Sequence, residues 1–442
     1  MTRVNAGADV LPIHYLSASA IAAGVKTGRL SAVAVVTAHL ERIAAVNSQI
    51  NALVQLTGDE ALKAALGADA CVARGDPTGP LHGVPFTVKD VIDVAGVAGA
   101  AGMRERMDCV PAMDAVVVAR MKAAGAILLG KTNCPPGGAG GETDNPVYGP
   151  TRNPYDLARS PGGSSGGEAA AVAAGLSAIG VGSDSGGSLR VPAHFCGIVA
   201  LKPTTGRVPN TGVLNHPGGV SDVRTQIGVL GRTVRDVALA WPVLAGVDGC
   251  DSGVVPMPLP PAGPVELRGL RVALYADDGI ATPRPEIVAA VHLAGDALRA
   301  AGIAVKRARP PDLGDAASIT RRYWTMDELT GSEVQQLLAD WDRFRSEHLA
   351  FLAAFDAIVC PVDAGLAPRR GEARPTLFSY TLPFSLCGWP GAVVRAGADG
   401  DGLPIGVQIA ARPWHEHIVL ALAERLESAL GGWQAPQGLR PG

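Results

Sequence analysis

Two glycine-flanked serine sites stand close together in the chain: Gly162-Gly163-Ser164-Ser165-Gly166-Gly167 and Gly182-Ser183-Asp184-Ser185-Gly186-Gly187-Ser188. Hydroxyls set among glycines suit acyl transfer. The serine oxygen supplies a nucleophile, and glycine lets successive backbone N–H groups turn into one concavity where negative charge develops on an attacked carbonyl. Gly186 and Gly187 can take φ > 0 for that purpose, while Gly162 and Gly163 allow close approach to a ligand. A flexible Gly/Ser linker is the commonest use of such composition, but a linker would not alternate with a helix and an apolar strand. A phosphate-binding loop would end in Gly-Lys-Ser/Thr. Gly162-x-Ser164-x-Gly166 also matches the nucleophile elbow of α/β-hydrolases, which needs a strand directly before the serine. Here Asn153-Pro154-Tyr155 and Ser160-Pro161 read as an irregular loop.

The segment between the two sites must bring them together. Glu168 to Ala178 is rich in Ala and reads as a helix, with Glu168 in the first turn where the dipole favours it; Ile179 to Gly182 reads as a strand. A helix of about 12 residues travels ~18 Å and a return strand of about five covers ~16 Å, so the second site comes back level with the first if the two are antiparallel. A third group arises in the strand-like run from Leu81 to Asp93, where alternation puts Thr87, Lys89 and Val91 on one side and Val88 and Asp90 on the other. An ammonium among apolar neighbours loses hydration, so the pKa of Lys89 should fall below about 10.4 and leave a competent general base. The competing reading is a strand-end lysine paired with Asp90 or Asp93.

Of 442 residues, 47% are hydrophobic and 18% charged, enough apolar material for a large core, and the net charge of −3 carries no nucleic-acid footprint. Seven scattered cysteines without C-x-x-C spacing point to buried thiols rather than disulfides or a metal site. His415-Glu416-His417 lacks the i, i+4 spacing of a helical zinc pair, and His194 and His216 read as loop histidines. No signal segment or membrane span is read, so a cytoplasmic chain is expected, with no membrane partner.

Leu16 to Leu56 and Ala61 to Ala73 carry helical patterns; Asp114 to Gly130 reads as helix then strand; Pro256 to Pro264 is a proline-rich linker. Leu270 to Tyr275, Ile287 to Ala301 and Ile303 to Arg307 form a β-α-β pattern. Arg321 to Phe355 is mostly helical, and its aromatics (Tyr323, Trp324, Trp341, Phe344) are either core or pocket lining. Three strand-like pieces, Ala357 to Val362, Ala392 to Arg395 and Ile405 to Ala411, precede a closing helix from His415 to Leu430.

With Lys89, Ser164 and Ser188 in view, the chain resembles the amidase signature family. The likeness rests on GVPFTVKD, GKTN at Gly130 to Asn133, GGETDNPVYGPTRNPYD at Gly140 to Asp156, the whole block from Ser160 to Gly206, FDAIVCPV and GLPIGVQIA. It implies an α/β fold with a large mixed twisted β-sheet covered by helices on both faces. It implies one amidase domain over 1–442: a helical layer (1–75), a catalytic core (76–250), a variable excursion (251–350) and a C-terminal completion of the sheet (351–442). It also implies a Ser-cisSer-Lys triad with Ser188 as nucleophile, Ser164 as the bridging serine after a cis peptide, and Lys89 as base. Backbone N–H groups of Ser185, Gly186, Gly187 and Ser188 would hold the oxyanion, and Ser165, Ser183, Asp184 and Arg190 would fix the loop. No cofactor or metal is implied. The substrate would be a small or aryl amide, or an ester or carbamate, and the chain a monomer or homodimer. The alternative within the family is the glutaminase subunit of a tRNA-dependent amidotransferase. Pro136 departs from the family where relatives often carry an acidic residue after GKTN, and the Tyr-rich late segment of the glutaminase subunits is absent.

Overall fold

A computed structural model describes residues 11–214, 224–260 and 263–439. The remainder of the Val213 to Gln226 loop, including His216, and part of the proline-rich linker lie outside the described residues.

Eleven strands form one mixed sheet: β1 Leu53–Leu56, β2 Pro85–Lys89, β3 Ile127–Thr132, β4 Ile179–Asp184, β5 Val199–Lys202, β6 Gln226–Gly231, β7 Arg271–Leu274, β8 Ala304–Arg307, β9 Ala357–Pro361, β10 Gly391–Ala398 and β11 Pro404–Ala411. Their spatial order is β1-β3-β2-β4-β6-β5-β10-β11-β9-β7-β8. Parallel pairs (β2 with β3 and β4, β7 with β8 and β9) join antiparallel ones (β4 with β6, β10 with β5 and β11).

Side-chain alternation shows that both faces are covered. Ala392 and Val394 of β10 enter one hydrophobic core while Val393 between them enters another, and on β9 Val359 and Ile358 divide in the same way. Helices Glu416–Leu430 and Pro285–Ala300 supply the first core, with Val419, Leu422, Val291 and Leu298. The short helix Arg190–Phe195 supplies the opposite face through Val191, Ala193 and Phe195.

The central strands hold the glycine-flanked sites. β2 and β4 are parallel neighbours, with Thr87 opposite Gly180 and Val88 opposite Val181, so the end of β2 lies beside the end of β4. The Ala-rich helix is shorter than its composition predicts, Gly166–Ala173. Gly175 takes φ +77° just beyond it, a left-handed conformation that ends a helix and that alanine adopts only under strain. His194 belongs to the buried helix Arg190–Phe195 rather than a loop, with its Nδ1 2.7 Å from the Gly406 N–H and its Nε2 2.9 Å from the Gly365 carbonyl. Among the described residues, no helix is long and apolar enough to cross a membrane.

Candidate active site

Lys89 is the last residue of β2 and is fully buried. Alternation along the strand sends Phe86 and Val88 into the main core, while Thr87 meets Glu168 and Lys89 meets the serine loops. The Lys89 Nζ lies 2.6 Å from Ser164 Oγ and 2.9 Å from Ser183 Oγ. Asp90 does not pair with it. Its side chain turns to the other face, where Lys131 of β3 lies 3.0 Å from Asp90 Oδ1, both groups without solvent exposure. Burial therefore governs Lys89 and pushes its ammonium down to about 8. Opposing that shift are Cys134, Asp184 and Glu168. Cys134 is itself held as a neutral thiol, pushed up to about 12 by burial, and burial raises the Glu168 carboxyl as well, so the ionised Asp184 does most of the opposing at neutral pH.

The two serine sites meet. Ser165 N–H donates to the Ser188 carbonyl at 3.1 Å, and Ser165 Oγ donates to the Ser183 carbonyl at 3.1 Å. The peptide between Gly163 and Ser164 is cis. Gly163 lies so close to the bent strap from Gly140 to Glu142 that a Cβ there would come within 2.9 Å of the Gly140 carbonyl and the Glu142 nitrogen. Ser164 is buried, whereas Ser188 is partly accessible, and among the described residues the Ser188 hydroxyl has no hydrogen-bond partner.

The turn from Ser185 to Ser188 departs from expectation at two points. Only Gly187 has a positive φ, +143°, and its N–H does not face an open concavity: it donates to Asp184 Oδ1 at 2.8 Å. Asp184 is an acceptor buried directly beneath the turn, and it takes that donor to hold the loop's shape. The N–H groups of Ser185, Gly186 and Ser188 have no acceptor among the described residues.

Asp184 also accepts from Leu189 N–H at 3.1 Å and from Arg190 through Nε and Nη2, both at 3.0 Å. Burial opposes its ionisation, yet the Arg190 guanidinium and these donors outweigh burial and hold the carboxyl below the usual range. Arg190 in turn reaches the Thr381 carbonyl at 3.0 Å, Gln408 Oε1 at 2.7 Å and Ser385 Oγ at 2.7 Å, tying the turn to β11 and to helix Leu382–Leu386. Arg190→Met should destabilise the fold by about 3–5 kcal/mol, because it leaves a buried carboxylate without its counter-charge. Urea denaturation would read this as a lower midpoint, and an unchanged midpoint would remove the pair from the loop's support.

The profile of the Amidase family matches residues 34–330 and 323–420. The chain belongs to the Amidase family. It is 34% identical to an acylamidase of Rhodococcus erythropolis, over 94% of this chain and 96% of that protein. It is 35% identical to a glutamyl-tRNA(Gln) amidotransferase subunit of Roseiflexus sp. (strain RS-1), over 93% and 96%. Among solved structures, a 6-aminohexanoate cyclic dimer hydrolase complexed with substrate superposes with a TM-score of 0.86 at 30% identity, covering 97% of this chain and 100% of that one. The chain is an enzyme that hydrolyses carbon–nitrogen amide bonds.

This Amidase family member carries one further buried group at the site. Glu168, read from the sequence as a first-turn residue favoured by the dipole, is fully buried in the helix Gly166–Ala173. Thr87 Oγ1 of β2 and Thr132 Oγ1 of β3 each donate to its carboxyl at 2.7 Å, clamping the helix that follows Ser164 onto the strand that ends in Lys89. Burial pushes its carboxyl up to about 8, against the threonine donors and Lys89. Gly180 makes room for it, since a Cβ there would lie 2.4 Å from Glu168 Oε2. The signal available in the sequence was the conjunction of a carboxyl with an otherwise entirely apolar helix. Among the described residues all seven cysteines are free, and no group of three metal-ligating side chains forms.

Proposed function

We propose that this amide hydrolase works on small or aryl amides through an acyl-enzyme at Ser188, with esters and carbamates open to the same route. Neutral Lys89 takes the proton of Ser164, and Ser164 takes that of Ser188 as its Oγ attacks the carbonyl carbon. The N–H groups of Ser185, Gly186 and Ser188 receive the oxyanion. The proton held on Lys89 returns through Ser164 to the departing nitrogen, and water repeats the sequence to release the acid. One observation carries this reading: a fully buried lysine, depressed to about 8, with its Nζ 2.6 Å from the serine that follows the cis peptide. In this reading the free, partly accessible Ser188 hydroxyl turns toward Ser164 once substrate is bound; catalytic hydrogen bonds commonly tighten only in the complex.

A pH–rate profile tests the base. Because only the neutral amine accepts a proton, and its folded pKa is about 8, activity rises as pH climbs through that value. The neutral fraction grows from about one tenth a unit below to about nine tenths a unit above, so kcat/KM for an anilide should increase about tenfold across that window. A profile flat over the same range would assign the base elsewhere.

Similarity to the glutamyl-tRNA(Gln) amidotransferase chains favours a second reading, release of ammonia from glutamine for partner proteins. The purified chain offered glutamine and an anilide separates the two. Turnover of glutamine alone, and only with partners added, would replace the first reading.

A further inference from the structure

We propose that Trp324 and Phe378 flank the Gly186-Gly187 turn as aromatic walls that take a flat apolar group of the substrate, making them specificity residues for aryl amides. The proposal rests on the reading of the Ser185–Ser188 turn as the place where the carbonyl is held.

Trp324 is the last residue of the helix Asp315–Trp324 and is 57% exposed, whereas Tyr323 and Trp341 are buried. An exposed indole is ordinarily free to move. This one rests on the buried Arg224 guanidinium, whose carbon lies 5.4 Å from the Trp324 ring, 4.6 Å from Tyr323 and 5.8 Å from Trp341. Arg224 Nη1 also donates to Thr320 Oγ1 at 3.0 Å, on the same helix. The cation thus fixes the indole from behind while leaving its benzene edge toward the turn. A Cβ placed on Gly186 would lie 3.9 Å from Trp324 Cζ2 and 4.0 Å from Cη2, ordinary van der Waals contact.

Phe378 borders the next glycine. A Cβ on Gly187 would come within 2.7 Å of Phe378 Cδ1, and one on Gly141 within 3.4 Å of Cε2, so the ring spans the serine turn and the strap that packs on Gly163. Phe378 sits at φ +78°, a left-handed conformation uncommon for a bulky residue and found where surroundings enforce it. Three groups hold it there: its carbonyl accepts from Thr381 N–H and Leu382 N–H, both at 2.9 Å, and from Thr381 Oγ1 at 3.1 Å. Thr381 Oγ1 also reaches the Gly186 carbonyl at 2.6 Å, clasping the same turn. Leu382 closes the space between, its Cδ2 3.1 Å from the Gly186 Cβ position. Asp184 lies on the buried side of this dipeptide, and on the side where a Cβ would project the nearest side chains are Trp324, Leu382, Phe378 and Thr381, none of them charged; both aromatic rings keep part of their surface uncovered. Such a surface favours an aromatic ring by offset or edge contact and gives a polar aliphatic group nothing to bind.

The test pairs turnover with equilibrium binding. In the Ser188→Ala chain, which binds amides without turnover, calorimetry should show benzamide binding at least about tenfold more tightly than acetamide, with an added Trp324→Ala removing the difference and Trp324→Phe restoring most of it. In turnover, Trp324→Ala and Phe378→Leu should lower kcat/KM for benzoyl or anilide substrates about 10- to 50-fold while changing acetamide by no more than about twofold. Equal losses for aryl and aliphatic amides, or equal affinities of the Ser188→Ala chain for benzamide and acetamide, would overturn the aromatic walls even if amides are hydrolysed. An intact benzamide preference in a chain that turns over no amide would instead count against the proposed function and uphold the aromatic site.

Discussion

Ser188→Ala is expected to lower amide turnover by on the order of 10⁶ in kcat, with the fold intact. The size of the effect follows from covalent catalysis: without Oγ no acyl-enzyme forms, and what remains is binding plus the backbone donors, worth about 10³ over water. Stability should change by no more than about 0.5 kcal/mol. The Ser188 hydroxyl makes no hydrogen bond among the described residues and is partly accessible, while the contact that joins the two serine sites uses its carbonyl, which alanine keeps. Intact-protein mass spectrometry after an alkyl fluorophosphonate should show one adduct on the wild-type chain and none on Ser188→Ala. Labelling of the variant, or retained turnover, would move the nucleophile to another hydroxyl, of which Ser185 on the same turn is the nearest in sequence.

The residues that can be read in one dimension are those whose oddity is local. A lysine ending an apolar alternating run, and hydroxyls bracketed by glycines, stand out against their immediate neighbours, and the chain does bring Lys89, Ser164 and Ser183 into contact. The helix-and-return geometry between the serine sites is local too, and the hydrogen bond from Ser165 to the Ser188 carbonyl shows that the sites meet despite a helix shorter than expected. Partners supplied by other strands were not legible. Asp90 looked available to Lys89 because the two are adjacent in sequence, and only the parallel pairing of β2 with β3 puts Lys131 beside Asp90. Glu168 needed the same knowledge, since its two threonines come from β2 and β3. The donor lost at Gly187 depended on where the Asp184 carboxylate points, a property of the closed turn rather than of its composition. Of the aromatics after Arg321, Tyr323, Trp341 and Phe344 are core and Trp324 is not; at a helix end, periodicity does not distinguish the two. β1 lies at the end of the Leu16 to Leu56 stretch read as helical, and β5 and β6 are not read from the sequence although they are no shorter than β7 and β8; yet β6 and β5 connect the site-bearing strands to the rest of the sheet.

Lys89→Met should lower kcat by about 10²- to 10⁴-fold, the range assigned to a positioned general base, without unfolding the chain. Two structural terms oppose one another in the variant. The Ser164 and Ser183 hydroxyls lose their contacts with Nζ at 2.6 and 2.9 Å, a loss of about 1–3 kcal/mol if neither finds another partner. Against this, methionine fills nearly the same volume and removes an amine whose charging burial opposes, as its depression to about 8 records. The contrast with Arg190→Met is one of charge. Arg190 faces a carboxyl held in its ionised form, so its removal strands an anion. Lys89 faces Glu168, whose carboxyl burial already pushes up to about 8, so at neutral pH that group stays protonated and no buried charge is left unpaired. Circular dichroism and the denaturation midpoint should accordingly change little while turnover collapses. The residual rate should also lose the rise centred near 8 that belongs to Lys89. A variant that kept both the rate and that rise would transfer the proton-accepting role to another group, and the 2.6 Å contact with Ser164 would then be a structural one.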